Sequence, residues 1–332
     1  MTGSRIAAIE YHLPEHVLDN AALAAEFPDW TVDKIAHKTG IKERRLAGHD
    51  ETASDLAFKA ARKLFASGAT SPTSIDYVIL CTQSPDYLLP TTACLLQDRL
   101  GIPTHTGALD INLGCSGFVY GLSLAKGLIE TGQARSVLLL TAETYSKYMH
   151  PRDRSVRALF GDAAAATLVK ATEAPTCLGP FVFGTDGSGG KNLIVETGGM
   201  RNPGLVGSEG SAKPGPDWLW MNGPEIFAFT LRVVPEVLDR LLSAANLNRD
   251  DVDQYVMHQA NAYMLSHLRK KIGVPEKRFV LALESCGNTV SSTIPIALKD
   301  AVADGRIEPG HLLALVGFGV GYSWGAGLVH WG

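Results

Sequence analysis

The sequence predicts an α/β fold built from two copies of one unit, and three observations support this prediction. The apolar runs Tyr77–Cys81, Val137–Thr141 and Leu312–Val316 lack polar alternation, as do strands that are buried on both faces. Segments with helical periodicity lie between such runs, which is typical of layered α/β proteins. The third observation is an internal repeat. The predicted helices are Ala53–Ser67, Phe118–Thr131, Ile226–Ala245, Asn261–Ile272 and Thr293–Ala303.

The internal repeat relates two segments of the chain that occur in the same order. Asp76 stands five residues before Cys81, and Asp253 stands five residues before His258, an offset of 177 (253 minus 76). A second match has an offset of 173 (288 minus 115). Its positions are Cys115, Lys126 and Gly132 in the first copy and Asn288, Lys299 and Gly305 in the second.

The repeat divides the chain into an N-terminal half, residues 1–172, and a C-terminal half, residues 173–332. Each half is predicted as strand, helix, strand, helix and two further strands. Chance similarity of short apolar strands is the alternative interpretation. The Gly-, Pro- and Ser-rich residues 183–217 are predicted to form a long loop, and such loops are usually functional, for example as a pocket wall.

Composition excludes several classes of protein. The 332 residues carry a formal net charge of -4 and have no Lys/Arg-rich tail, so a nucleic-acid binder is not expected. No apolar run reaches the roughly 18–20 residues of a membrane span, and no secretory signal is recognised, so a cytoplasmic protein is expected. The five cysteines are widely spaced, which favours neither a disulfide framework nor a metal site.

Cys115 is the candidate nucleophile. It lies between the strand-like run Gly107–Ile111 and a predicted helix, with Gly114 and Gly117 on either side. Unpaired N–H groups and the dipole at a helix N-terminus favour a thiolate, so a lowered pKa is expected. The alternative is a buried structural cysteine, which is the commoner role of a lone Cys.

Two further polar residues stand at comparable turns. His258 ends an apolar strand before a helix, and Asn288 lies in a Gly-Asn turn before a helix. Each has an ordinary alternative, a hydrogen-bonded core histidine and a simple turn residue. Because ligands bind at the carboxyl ends of strands in open α/β layers, the three residues together predict a site.

The glycine-rich segment 317–325 is predicted to contribute to the same site. It is either a tight hairpin between buried strands or a source of a backbone N–H for a thioester carbonyl. A backbone N–H of this segment, together with that of Cys115, would form an oxyanion hole, worth roughly 3 kcal/mol per donor. The segment is not a dinucleotide-binding loop, since no βαβ unit follows it.

These motifs resemble those of the β-ketoacyl-acyl carrier protein synthase III family. The matching segments are Thr39–Arg45, Gly114–Phe118, Phe160–Asp162, His258–Asn261, Gly287–Thr289 and Gly319–Gly325. The resemblance spans nearly the whole chain. It implies the thiolase fold, with duplicated βαβαβαββ halves in a five-layer αβαβα arrangement, and a homodimer. The set Cys115, His258 and Asn288 is similar to the catalytic set of the synthase III branch, whereas the resemblance implies a Cys-His-His set for elongating synthases.

The resemblance also implies a mechanism. An acyl thioester acylates Cys115 while the N–H groups of Cys115 and Val320 hold the oxyanion. A malonyl thioester then loses carbon dioxide while His258 and Asn288 hold its enolate oxygen. The product is a 3-ketoacyl thioester. No metal or redox cofactor is expected, because CoA or phosphopantetheine thioesters serve as substrates and decarboxylation supplies the driving force.

The resemblance implies further substrate contacts, and a basic cluster suggests a docking site. Lys38 and Arg154 match basic positions near the CoA phosphates, and Leu89 matches the residue that caps the partner's acyl pocket. Substrate contacts are also implied for Phe227, Gly319 and Gly321. The basic residues Arg269, Lys270 and Lys271 are candidates for docking acyl carrier protein, and a solvated helix face is the alternative.

Three positions depart from the family pattern. Lys34 stands where relatives have an aromatic residue, with Trp30 four residues earlier. Pro224 replaces a polar Asn, and Tyr263 replaces a basic residue associated with carrier-protein docking. These departures favour an acyl-carrier-protein donor or a specialised acyl group over acetyl-CoA.

Three alternative functions remain open. A non-elongating acyltransferase of the same fold would pass the acyl group to an oxygen or nitrogen acceptor. A non-catalytic thiolase-fold partner subunit is disfavoured by the intact Cys115, His258 and Asn288. A nicotinamide-dependent oxidoreductase is suggested only by glycine richness and lacks the N-terminal fingerprint.

Overall fold

The computed structural model describes residues 2–207, 215 and 217–332. The strands are β1 (Gly3–His12), β2 (His16–Asp19), β3 (Glu43–Leu46), β4 (Tyr77–Cys81), β5 (Gly107–Ile111), β6 (Ser136–Glu143), β7 (Ala163–Thr172), β8 (Leu178–Thr185), β9 (Leu193–Ile194), β10 (Trp220–Met221), β11 (Gln254–Met257), β12 (Leu312–Gly319) and β13 (Ser323–His330). The helices are α1 (Asn20–Glu26), α2 (Val32–Thr39), α3 (Ala53–Ala66), α4 (Thr92–Arg99), α5 (Gly117–Glu130), α6 (Arg154–Arg157), α7 (Gly223–Ala245), α8 (Ala262–Ile272) and α9 (Thr293–Ala303).

Two large sheets share one topology. The first has the order β1-β7-β6-β4-β5 and the second the order β11-β12-β13-β8. In the first, β4 runs parallel to β5 and β6, while β7 is antiparallel to β6 and β1. In the second, β11 is parallel to β12, and β13 is antiparallel to both β12 and β8. In the second sheet, a parallel bridge between Tyr255 and Phe279 takes the place that β5 has beside β4 in the first sheet.

The sheets and helices stack in five layers. Strand residues of opposite parity face different helix layers, since side chains alternate across a strand. Leu138 and Leu140 of β6 pack against α3 and α4, whereas Val137 and Leu139 pack against α5 in the middle layer. The second sheet likewise packs on α5 and α9 with one face and on α7 and α8 with the other. The predicted thiolase-type α/β architecture is thus confirmed.

The repeat seen in the sequence has a physical counterpart. The Asp76 carboxylate accepts the N–H of Ser136 at the start of β6, 3.0 Å away, and the Asp253 carboxylate accepts the N–H of Leu312 at the start of β12, 2.8 Å away. Gly132 and Gly305, which follow α5 and α9, have φ of 77° and 79°. Only glycine adopts this left-handed conformation without steric strain, so these repeated glycines are helix stops. The predicted boundary at residues 172 and 173 falls between β7 and β8.

Several boundaries differ from the sequence prediction. The segment 183–217 is not wholly a loop, because its first three residues complete β8 and β9 pairs with β10. Residues 208–214 and 216 of that predicted loop lie outside the described residues. Helix α7 begins at Gly223 rather than Ile226, since Asn222 caps it and Pro224 fits its first turn.

The segment between β1 and α3 was not predicted in detail. It forms the β2–β3 hairpin together with α1 and α2. Among the described residues, no helix has the length and apolar character needed to cross a bilayer.

The middle layer should dominate stability. Leu122 of α5 is fully buried, whereas Leu124 on the same helix is 47% exposed. We expect Leu122→Ala to lower the free energy of unfolding by about 2–5 kcal/mol, because it leaves a cavity between the sheets. The matched variant Leu124→Ala should change it by no more than about 0.5 kcal/mol. Urea unfolding measures both, and equal losses would contradict this layer assignment.

Candidate active site

The three side chains predicted as a catalytic set line one cavity of about 150 Å³. Cys115 lies in the turn between β5 and α5, His258 directly follows β11, and Asn288 precedes α9. All three are at most 5% exposed. The remaining wall is mainly apolar, with Phe160 and Phe318 among its residues.

The Cys115 thiol lies near two backbone N–H groups. Those of Cys115 and Val320 favour the ionised sulfur and so act to lower its pKa. Burial, followed by the charge of Glu143, nevertheless raises the pKa of Cys115 to about 12. The expected lowering of this pKa is wrong for the unacylated enzyme, because desolvation outweighs the helix terminus.

Glycines permit this close approach. A Cβ at Gly319 would lie 2.8 Å from the Cβ and 2.9 Å from the sulfur of Cys115. A Cβ at Gly317 would lie 2.8 Å from the Cys115 carbonyl oxygen. Strand β12 can therefore lie against the turn before α5 only because these positions lack side chains.

His258 is buried and neutral. Its Nδ1 lies 2.8 Å from the hydroxyl oxygen of Thr293, and its ring stands edge-on to Phe318 with centroids 5.5 Å apart. Burial lowers its pKa to about 3. The imidazole therefore carries no charge at neutral pH, and one of its two ring nitrogens can donate a hydrogen bond.

Asn288 is fixed at its backbone and its side chain. Its N–H donates to the carbonyl of Leu159, 2.9 Å away, and its carbonyl accepts from the N–H of Gly161 at 3.0 Å. The side-chain oxygen accepts the N–H of Val290 at 2.9 Å. Because this oxygen faces a backbone donor, the Nδ2 donor is the end of the amide available to the cavity.

Val290 has an unusual conformation for a β-branched residue. Its φ is 55°, in the left-handed region, and it is fully buried. Such a backbone costs of order 1–3 kcal/mol and persists only where surrounding contacts hold it. This strained turn places the Val290 N–H where it donates to the side-chain oxygen of Asn288.

An outer cleft adjoins the catalytic cavity. Its volume is about 550 Å³, and it shares Leu159, Asn261 and Tyr263 with the inner cavity. Trp30 lies in this cleft, and two cations lie near its ring. Lys38 Nζ is 5.7 Å and the Arg154 guanidinium carbon 5.4 Å from its ring centroid.

Lys34, the residue at the family's aromatic position, instead donates to the Asp29 carbonyl at 3.2 Å. Trp30, four residues before Lys34, is an aromatic residue that lines this cleft.

The other residues for which the resemblance implies substrate contacts lie in different parts of the structure. Phe227 and Gly319 line the catalytic cavity. Gly321 lines a second cavity of about 590 Å³, together with Tyr145 and Val320. Leu89 is 82% exposed and lies outside the lining of both.

The candidate docking residues differ in their contacts with the rest of the protein. Arg269 donates to the Val274 carbonyl at 3.2 Å and lies 3.7 Å from the Glu276 carboxylate. Lys270 and Lys271, by contrast, are exposed. Arg269 is therefore better placed to stabilise the end of α8 than to contact a partner.

Comparison with curated proteins places this geometry in a family. A family model described as 3-oxoacyl-[acyl-carrier-protein (ACP)] synthase III matches residues 109–187, and the model of its C-terminal part matches residues 242–331. The chain is 36% identical to the β-ketoacyl-[acyl-carrier-protein] synthase III of Clostridium perfringens over 329 residues, covering 99% of each chain. The chain belongs to the β-ketoacyl-[acyl-carrier-protein] synthase III family.

Solved structures agree. A crystal structure of a 3-oxoacyl-(acyl-carrier-protein) synthase III shares 57% identity with a TM-score of 0.96, covering 99% of this chain and all of that one. The 3-oxoacyl-(acyl-carrier protein) synthase of Burkholderia xenovorans LB400 shares 39% identity with a TM-score of 0.93, covering 100% of this chain and 95% of that one. The predicted synthase III resemblance is confirmed, and the interpretation as a condensing enzyme is supported.

Sequence reasoning missed several polar residues beside the cavity of this synthase III homologue. Glu143 is fully buried at the end of β6, and Ser291 and Thr293 lie just beyond Asn288. One signal was visible, since Glu143 ends the apolar run that begins at Val137. A charged residue seldom ends a fully buried strand without a role.

Cysteine reactivity tests the electrostatics of this site. Cys94 is exposed, whereas Cys115 is buried with a pKa of about 12. Because the thiolate is the nucleophile, iodoacetamide at about pH 7.5 should modify Cys94 well before Cys115. The rate at Cys115 should increase as pH rises toward about 12. Peptide mass spectrometry follows both sites, with Cys94→Ala as control, and equally fast modification of Cys115 at neutral pH would contradict a protonated thiol.

Proposed function

We propose that this chain joins an acyl thioester to a malonyl thioester with loss of carbon dioxide, giving a 3-ketoacyl thioester. The observation that carries this proposal is the single cavity in which Cys115, His258 and Asn288 meet. A nucleophile beside two neutral hydrogen-bond donors suits acyl transfer followed by enolate formation.

In the first half-reaction, the sulfur of Cys115 attacks the thioester carbonyl. The N–H groups of Cys115 and Val320, which favour an ionised sulfur at this position, stabilise the oxyanion. The carbon–sulfur bond of the donor breaks, and the thiol proton leaves with the released CoA or pantetheine thiol. The acyl group then remains on Cys115.

In the second half-reaction, the malonyl thioester loses carbon dioxide and its carbonyl becomes an enolate. His258 and Asn288 donate hydrogen bonds to the enolate oxygen. The enolate carbon attacks the acyl carbonyl on Cys115, and the freed sulfur takes a proton from solvent. Decarboxylation supplies the driving force, so the proposed reaction uses no metal or redox cofactor.

Donation by His258 requires a particular tautomer. Donation from Nε2 requires the single proton of the Thr293 hydroxyl to point toward Nδ1, 2.8 Å away, instead of toward the Val290 carbonyl at 3.0 Å, so that Nε2 carries the ring proton. The low pKa of about 3 supports a neutral donor.

The outer cleft supports a CoA thioester as one acyl donor. The aromatic face of Trp30 suits stacking on an adenine ring, and Lys38 and Arg154 lie where they can bind phosphate. This arrangement weakens the sequence-based argument against CoA that rested on Lys34, because Trp30 compensates for it.

A carrier-protein thioester is proposed for the malonyl substrate. Lys270 and Lys271 form an exposed positive patch on α8, whose first turn contributes Tyr263 to both the outer cleft and the catalytic cavity. A positive patch steers an acidic carrier protein on an otherwise acidic enzyme.

The homodimer also remains a proposal. Tyr87, Leu88 and Leu89 are 62%, 80% and 82% exposed, an apolar run that favours burial against a second copy. Leu89 would then cap the partner's acyl pocket. Sedimentation velocity measures this state, and a protein that stays monomeric at micromolar concentration would contradict it.

Covalent acylation tests the nucleophile. Incubation with acetyl-CoA or longer acyl-CoA should add one acyl mass to the intact protein, because Cys115 keeps the acyl group until the malonyl substrate enters. Intact-mass spectrometry measures the adduct, and Cys115→Ala should abolish it while the matched variant Cys94→Ala retains it. An adduct that persists in Cys115→Ala would contradict the proposed first step.

Release of carbon dioxide separates condensation from simple acyl transfer. Labelled malonyl thioester should yield one carbon dioxide per 3-ketoacyl product. An acylated enzyme that transfers its acyl group without releasing carbon dioxide would favour the non-elongating acyltransferase instead.

Charge reversal tests carrier docking. The double variant Lys270→Glu, Lys271→Glu should raise the KM for malonyl carrier protein about tenfold or more, since it replaces attraction by repulsion. Turnover of small malonyl thioesters should stay unchanged. Arg62→Glu with Lys63→Glu is the matched control, an adjacent exposed pair on α3 in the opposite outer layer. Equal effects of the two double variants would count against docking on α8.

A further inference from the structure

Glu143 has a buried carboxyl group that the proposed reaction does not use. It ends β6 and is fully buried. Within the described residues, no Lys, Arg or His forms an ion pair with it. A buried carboxyl group without a cation is unfavourable unless hydrogen bonds compensate. Its position therefore needs an explanation.

Three donors from the first half and the second half surround this carboxyl group. The N–H of Gln83 lies 3.2 Å and 3.1 Å from its two oxygens, and the Ser84 hydroxyl lies 2.8 Å from Oε2. The Ser291 hydroxyl, from the second half, donates to Oε1 at 3.1 Å. One side chain thus joins the segment after β4 to the segment before α9.

The first-half contacts lie next to the nucleophile. The side-chain oxygen of Gln83 accepts the Tyr145 hydroxyl at 2.6 Å. A Cβ at Gly114 would lie 2.5 Å from that same oxygen. Gln83 therefore packs directly against the residue that precedes Cys115.

The second-half contact lies next to the other two side chains. Ser291 follows Val290, the residue at φ 55°. The Val290 N–H donates to the Asn288 side-chain oxygen at 2.9 Å, and the Val290 carbonyl oxygen lies 3.0 Å from the Thr293 hydroxyl oxygen. That hydroxyl also contacts His258. Movement of Ser291 would thus disturb the orientation of both enolate-binding groups.

We propose that Glu143 is a positioning residue, whose carboxyl group fixes Asn288 and His258 against the segment that supports Cys115. Its hydrogen bond to Ser291 holds the strained Val290 turn in place. This inference rests on the proposed condensing function. It assigns Glu143 no contact with substrate.

The charge of Glu143 provides a readout beyond structure. This charge is the second-largest cause of the raised pKa of Cys115, and burial of the thiol is the largest. Burial raises the pKa of Glu143 itself to about 8, so it titrates near neutral pH. The other titratable groups that face it are Cys81, Tyr145, Tyr148 and Asp162.

The test compares Ser291→Ala, Glu143→Gln and the control Ser292→Ala. Ser292 is also fully buried and also joins the halves, but its hydroxyl pairs with Thr141 at 2.9 Å. Two rates are measured at about pH 7.5. One is acylation of Cys115 by acetyl-CoA, and the other is release of carbon dioxide from malonyl thioester by the acylated enzyme. Thermal unfolding confirms that each variant folds.

Ser291→Ala should slow carbon dioxide release about tenfold or more while acylation changes no more than about threefold. Ser292→Ala should change either rate no more than about threefold. Glu143→Gln should slow carbon dioxide release similarly. It should also move the pH profile of Cys115 alkylation by iodoacetamide to lower pH, because a negative charge is lost. Ser291→Ala, which keeps that charge, should leave this profile in place.

Equal loss in Ser291→Ala and Ser292→Ala would overturn the proposal, since it would indicate a general packing effect. Unchanged carbon dioxide release in Ser291→Ala would overturn it as well. If Glu143→Gln fails to fold, Ser291→Ala with its control still decides the question. A wild-type enzyme that neither acylates Cys115 nor releases carbon dioxide would contradict the condensing function instead. The alkylation profiles would still test the link between Glu143 and Cys115.

Discussion

Burial of α5 and α9 between the two sheets is the constraint on which the rest of the structure depends. Both helices are enclosed on two sides, so their N-terminal turns have to meet in the interior. The turn before α5 carries Cys115 and the turn before α9 carries Asn288. A duplicated unit therefore creates one site from two equivalent turns, and different residues at those turns give each copy its own chemistry.

Close contact in this layer depends on residues without side chains. A Cβ at Gly117 would lie 2.1 Å from the sulfur of Cys81, and one at Gly121 would lie 2.6 Å from Leu139. Both glycines belong to α5, where glycine costs roughly 1 kcal/mol of helix stability relative to alanine. The helix accepts this cost because close approach to β4 and β6 brings Cys115 to the interior.

Burial also determines the charge state of the site. Desolvation disfavours every charged form, so the pKa of Cys115 is raised to about 12, that of Glu143 to about 8, and that of His258 lowered to about 3. The resting site is therefore nearly neutral. Negative charge that develops on a substrate oxygen meets fixed N–H donors in a medium where hydrogen bonds are strong.

The sequence alone determined the architecture, because apolar strand runs, helix periodicity and the repeated Asp, Gly and turn positions are local signals. It also singled out Cys115, His258 and Asn288, since each stands in a turn before a helix. Tertiary structure decided what surrounds them. Desolvation of Cys115, the approach of Arg154 to Trp30, and the contacts of Glu143 all depend on residues distant in the chain. No pattern of neighbouring residues encodes such contacts, because they arise only when the two halves pack together.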